Sequence, residues 1–155
     1  MSTTIRKIIK SDTPAIKHVL NSIELFPPEM LEDMMADYLS NTNTTDIWFT
    51  ATEDDEPVSV GYCAHEQLTE GTYNLYAIGV RQDMHGKGIG QQMMHFIEDE
   101  LKQAGHHVLI VETSSDATFE RTRNFYLQLG YRQEAVLHDF WKLGEHKVIY
   151  WKKLN

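Results

Sequence analysis

The spacing of apolar residues changes period along this chain, and the period separates strands from helices. Thr4 to Ile9 alternates enough to read as a first strand. Ser11 or Asp12 can cap the helix that follows. Pro14 sits in its first turn, and Ile16, Val19, Leu20 and Ile23 share one face. Phe26-Pro27-Pro28 breaks the chain, and a second helix runs from Glu29 to Leu39, with Leu31, Met34, Met35 and Tyr38 on its apolar side. After a polar loop, Asn41 to Thr45, come three extended runs: Ile47 to Thr52, Val58 to Leu68 and Tyr73 to Val80. Turns at Glu53 to Pro57 and Thr69 to Gly71 separate them, so the first two form a hairpin. Gly79 lies inside the third run. It marks either a bulge or close approach, or a small residue facing a packed helix.

The helical period returns at Ile89 to Ala104, where Ile89, Met93, Met94, Ile97 and Leu101 form a stripe. Glu98 and Lys102 stand four apart and read as an outward-facing pair. Gly105 stops the helix. His107 to Glu112 reads as a buried strand, and Phe119 to Leu129 as a helix ending at Gly130. Tyr131 to Phe140 and Lys147 to Leu154 complete the pattern, joined through Leu143-Gly144-Glu145. The order is βααβββαβαββ, an α/β chain with a mixed sheet. The helix between the Tyr73 and His107 strands makes those two strands parallel.

Bulk properties narrow the picture. A chain of 155 residues suits one domain, 1–155, with one core. The net charge of −9 argues against a nucleic-acid partner, which requires clustered Lys and Arg, and is compatible with a cationic substrate such as an amine. Cys63 is the only cysteine, so an intrachain disulfide is excluded and a reducing, cytoplasmic setting is expected. No apolar run suits a membrane span, so no membrane partner is expected. Eight histidines invite a metal reading, but H-E-x-x-H spacing is missing and no cysteine pair exists, so no metal is expected.

One segment points to chemistry. A strand ending at Val80 runs through His85-Gly86-Lys87-Gly88-Ile89-Gly90 into a helix. Helix-start N–H groups lack partners, and the macrodipole adds positive charge there, so such a turn binds anions, phosphates above all. The spacing is G-x-G-x-G. Gln91 stands where a dinucleotide fold has its third glycine, and Lys87 is followed by Gly88 rather than the Ser or Thr of a Walker loop.

This turn resembles the pyrophosphate loop of the GNAT acetyltransferase superfamily, [QR]-x-x-G-x-[GA], with His85 in place of Gln or Arg. Asn124-Phe125-Tyr126-Leu127-Gln128-Leu129-Gly130-Tyr131, about 40 residues on, resembles that family's F-Y-x-x-x-G-[FY] segment. The order of elements is similar over nearly the whole chain. The resemblance implies that acetyl-coenzyme A is the co-substrate, with its pyrophosphate on His85, Gly86, Lys87, Gly88, Ile89 and Gly90. It also implies Ile78 and Val80 as backbone ligands, and Tyr126 beside the sulfur as the catalytic residue. Family members often have an Asn or Ala nearer the last helix's start; Phe119 and Thr122 stand there here, so Arg123 or Asn124 is expected to replace that contact. Arg121 and Arg123 otherwise read as a solvated helix face. Glu112 to Ser115, Thr122 to Tyr126, Asp139-Phe140-Trp141 and Gly144 to Lys147 look like one subgroup of the family.

The implied chemistry is amide formation from a thioester. It expels a thiolate, whose ordinary pKa of about 8.5 makes a donor hydroxyl useful. N–H donors on the Tyr73–Val80 strand would serve the developing oxyanion. The amine must first lose a proton; Glu66, Glu70, Glu112 and His65 are candidates, and none is singled out. The family builds its acceptor pocket from the first two helices, the Phe26 to Leu31 connection and the last hairpin. The expected partner is a small-molecule amine. Alternatives are a peptide amine, a non-catalytic acyl-coenzyme A sensor and a nucleotide binder. The strands from Tyr131 onward offer an edge for a homodimer.

Overall fold

A computed structural model describes residues 2–155. Its elements are β1 (Thr3–Lys7), α1 (Thr13–Ser22), α2 (Leu31–Ser40), β2 (Ile47–Glu53), β3 (Glu56–Pro57), β4 (Ser59–His65), β5 (Thr72–Val80), α3 (Ile89–Gln103), β6 (Val108–Ser114), α4 (Glu120–Gln128), β7 (Arg132–Lys142) and β8 (Glu145–Lys153). This is the expected mixed α/β order with one added two-residue strand, β3. The chain divides into two compact units. One comprises the chain up to His65 together with Tyr76–Ile97. The other comprises Glu66–Leu75 and Glu98–Asn155.

In the first unit the strand order is β1-β2-β4-β5. The β1/β2 and β2/β4 ladders are antiparallel, the second with Ile47 opposite Cys63. A core of Ile8, Ile16, Val19, Leu20, Leu31, Met35, Trp48 and Val60 joins α1 and α2 to these strands. Ile16, Val19 and Leu20 follow the i, i+3, i+4 rule, and each fully buried side chain of this size is worth about 1.5–3 kcal/mol. The segment read as a turn from Glu53 to Pro57 is shorter. Asp54 and Asp55 adopt φ of 49° and 68°, turning the chain in two residues, so Glu56 and Pro57 pair back onto Glu53 and Thr52.

Neither Ser11 nor Asp12 caps α1 with its side chain. A 3₁₀ turn at Lys10–Asp12 precedes the helix, and the Asp12 carboxylate folds back, accepting from Ile9 N at 2.8 Å. It also takes a forked pair of hydrogen bonds from Arg6 at 2.7 and 3.0 Å. The Arg6 hydrogen bond outweighs burial and holds the Asp12 carboxyl below its ordinary value.

In the second unit the order is β5-β6-β8-β7. β5 and β6 are parallel, as the intervening α3 requires, with Thr72 to Leu75 opposite Val108 to Val111. β8 is antiparallel to both β6 and β7. The β7/β8 hairpin shifts register between Leu137 and Lys142, where Asp139 takes φ of 56°. Glu98 does not pair outward with Lys102. It accepts from Tyr131 Oη at 2.7 Å and from Lys152 Nζ at 3.1 Å, and its side chain is 12% exposed. Partners from β8 and from the residue just before β7 override the local i, i+4 expectation.

Candidate functional site

The glycine turn sits in the first unit. Gly86 and Gly88 take φ of +79° and +76°, a backbone conformation that disfavours any side chain. A Cβ at either position would meet no atom within 4 Å. The glycines are therefore demanded by backbone shape and leave open room above the turn. Gly88 O accepts the first helical bond of α3 from Gln92 N at 3.1 Å, and Ile89 is buried beneath. Lys87 is exposed. Ahead of the turn, Arg81 bonds Asp83 at 2.7 Å, and Gln82 N donates to Ser22 Oγ at 3.0 Å.

His85, the departure from Gln or Arg, has a definite position. Its Nε2 lies 2.6 Å from Val80 O, so that nitrogen carries the proton and donates. The imidazole thus ties the turn to the end of β5, which carries Ile78 and Val80. Gly79 between them makes room for side chains that follow α1, since a Cβ there would lie 2.4 Å from Ile23 Cδ1 and 3.2 Å from Leu25 Cδ2. Side chains thus pack against this glycine, as the packed-neighbour alternative expects. The same unit holds a surface pocket of about 390 Å³ along Leu20, Ile23, Glu24, Leu25, Phe26, Pro27 and Pro28, apolar apart from one carboxylate.

Tyr126 and Asn124 belong to the second unit. Tyr126 is buried, with ring centroids of Phe125, Tyr131 and Tyr150 at 5.3, 5.7 and 5.9 Å. Burial pushes its phenol well above the ordinary value, so it keeps its proton at neutral pH. Asn124 is exposed on α4. Arg123 is not part of a solvated face. Its Nη1 donates to Ser114 O at 2.7 Å and Asp116 O at 2.8 Å, fastening α4 to the end of β6. Arg121 is exposed.

Two of the four base candidates converge, through a residue that pattern reading passed over. Asn74 Nδ2 donates to Glu66 Oε1 at 2.9 Å and to Glu112 Oε2 at 3.1 Å. Lys147 Nζ takes the other oxygen of Glu112 at 2.8 Å and sits 4.1 Å above the Phe140 ring. Glu70 is exposed in the turn before β5, and His65 ends β4. An apolar run containing one Asn carries no signal of its partners, which lie 8 and 38 residues away. Cys63 is buried and burial pushes its thiol up, which leaves it an unreactive core residue.

A family model for the acetyltransferase (GNAT) domain matches residues 44–133. Among curated sequences no relative matches the chain. Solved structures do. A protein from Desulfovibrio desulfuricans described as an acetyltransferase of the GNAT family is 27% identical, with a TM-score of 0.89 over 99% of this chain and 100% of that one. The ribosomal-protein-S18-alanine N-acetyltransferase from Escherichia coli is 18% identical, with a TM-score of 0.80 over 99% and 95%. An aminoglycoside 6'-N-acetyltransferase complexed with coenzyme A is 14% identical, with a TM-score of 0.72 over 98% and 97%. At such identities the last two speak for the fold alone.

Proposed function

Because the chain belongs to the GNAT acetyltransferase family, we propose that it transfers acetyl from acetyl-coenzyme A to a primary amine of a small molecule, by direct attack of the amine on the thioester. The observation that carries this reading is the turn from His85 to Gly90. Its two left-handed glycines, with open space above them, suit a bound pyrophosphate. The backbone N–H groups of Gly86, Lys87, Gly88, Ile89 and Gly90 would hold the phosphates, and Lys87 would add charge. Ile78 and Val80 would bind the pantetheine arm through backbone groups, with Asn124 as a further contact. When bound, acetyl-coenzyme A supplies an acyl group activated as a thioester.

The chain's own groups supply the rest. Tyr126 keeps its phenol protonated, which suits it to hydrogen-bond the sulfur as thiolate charge develops. A carboxylate accepts the proton that the ammonium must lose. The balance is R–NH₃⁺ plus acetyl thioester giving R–NH–CO–CH₃, free thiol and one proton. A peptide amine is the second reading; the net charge of −9 favours it, since acidic surface attracts basic peptides.

The test is thiol release with acetyl-coenzyme A across amino acids, polyamines, aminoglycosides and short basic peptides, with Tyr126→Phe as control. Turnover with one amine class is expected, reduced about 10- to 100-fold in the control with cofactor affinity unchanged. Cofactor binding without any amine-dependent release would instead support a non-catalytic acyl-coenzyme A sensor. A preference for ATP over acetyl-coenzyme A would overturn both.

A further inference from the structure

Asn74 is 1% exposed in β5, between the buried residues Tyr73 and Leu75. Both N–H donors of its amide go to carboxylates, one to Glu66 and one to Glu112. Its Oδ1 is buried and has no hydrogen-bond partner among the described residues. An unpartnered buried acceptor is a cost that stable cores avoid, and departures of this kind concentrate where function requires them. Flipping the amide would not cure it, because the carbonyl would then face two carboxylates. The orientation is therefore fixed by Glu66 and Glu112. Lys147 grips the remaining oxygen of Glu112, so that carboxylate is oriented from two sides.

We propose that Asn74 is the positioning residue of the acceptor-amine site: it holds the Glu66 and Glu112 carboxylates side by side so that together they bind an ammonium and one takes its proton. This rests on the N-acetyltransferase reading. Two carboxylates meeting the two N–H groups of one amide lie within a few ångströms of each other. That spacing suits an ammonium, whose three N–H groups need several acceptors at once. The ammonium gives one proton to a carboxylate. The freed lone pair then forms the C–N bond as the C–S bond breaks, and the second proton that the nitrogen sheds balances the one the departing thiolate takes up, leaving amide and free thiol. Asn74 itself exchanges no proton.

The experiment compares wild type with Asn74→Leu and Asn74→Asp, using the amine that wild type turns over best. Asn74→Leu keeps the number of side-chain heavy atoms, is somewhat bulkier, and removes both donors and the unpartnered oxygen. Asn74→Asp keeps the shape, removes both donors and adds a third carboxylate. The expected result is a kcat/KM for the amine lowered about 10- to 100-fold in both, as misplacement of reacting groups produces. The loss is shared between a raised amine KM and a lowered kcat, while the KM for acetyl-coenzyme A is unchanged. The amine kinetics fall at temperatures well below each variant's melting temperature while the KM for acetyl-coenzyme A holds, a split that a merely structural Asn would not produce. Unchanged amine kinetics in both variants would overturn the proposal, as would activity that falls in step with melting temperature. If wild type turns over no amine, the acetyltransferase reading fails and this proposal with it; if wild type turns over and the variants match it, the proposal alone fails.

Discussion

The glycine turn and the carboxylate cluster bring groups together in opposite ways. The turn spans six consecutive residues, and its working parts are backbone N–H groups presented by two left-handed glycines. The cluster draws Glu66, Asn74, Glu112 and Lys147 from separate segments, and its working parts are side chains held by one another. A local device is written in adjacent letters. A long-range device exists only once the strands have paired. The first should therefore respond to backbone changes and the second to single side chains.

Lys147→Met tests the side-chain half most severely. It removes one grip on Glu112 from a pair whose side chains are 12% and 20% exposed. A loss of about 1–3 kcal/mol in stability is expected, read by urea denaturation. No loss would mean that the cluster is not held by its charges. Arg6→Ala should cost less, about 1–2 kcal/mol, because Arg6 is partly solvated. Its signature is pH. Arg6 holds the Asp12 carboxyl below its ordinary value, so this contribution is present above the unfolded carboxyl's pKa and is lost as pH falls through the lower folded one. Wild type and Arg6→Ala should differ at pH 7 and converge as acidification protonates Asp12 in the folded state, below the ordinary aspartate range. A difference that grows on acidification would contradict this. Lys87→Met should have the smallest effect on stability, within about 0.5 kcal/mol, because Lys87 is exposed. A larger loss would show that the turn leans on a side chain after all.

The same contrast explains what was legible beforehand. Among the described residues, hydrophobic period and turn signals placed the four α-helices and all but one strand, because Ile16, Val19 and Leu20 or Met93, Ile97 and Leu101 show their faces in order. β3 escaped because a two-residue strand has no period. The turn announced itself through glycine spacing, and the φ values of Gly86 and Gly88 give that spacing its reason. Glu98 was misplaced because a helical neighbour four residues on is visible in sequence, whereas Tyr131 and Lys152 are not. Asp12 looked like a cap and instead served Arg6 and Ile9. Arg123 looked solvated and instead binds two carbonyls. Asn74 was invisible for the same reason as Glu98, since a single polar letter in an apolar run does not name its partners.

The central claim is that the turn from His85 to Gly90 holds the phosphates of acetyl-coenzyme A. Calorimetric titration of coenzyme A into wild type and into a Gly86→Val, Gly88→Val double variant tests it directly. Side chains at two left-handed positions cost about 2–4 kcal/mol of strain, so affinity should fall about 30- to 1000-fold. Open space around both sites should leave the rest of the fold intact. Equal affinity in wild type and a folded double variant would contradict the account.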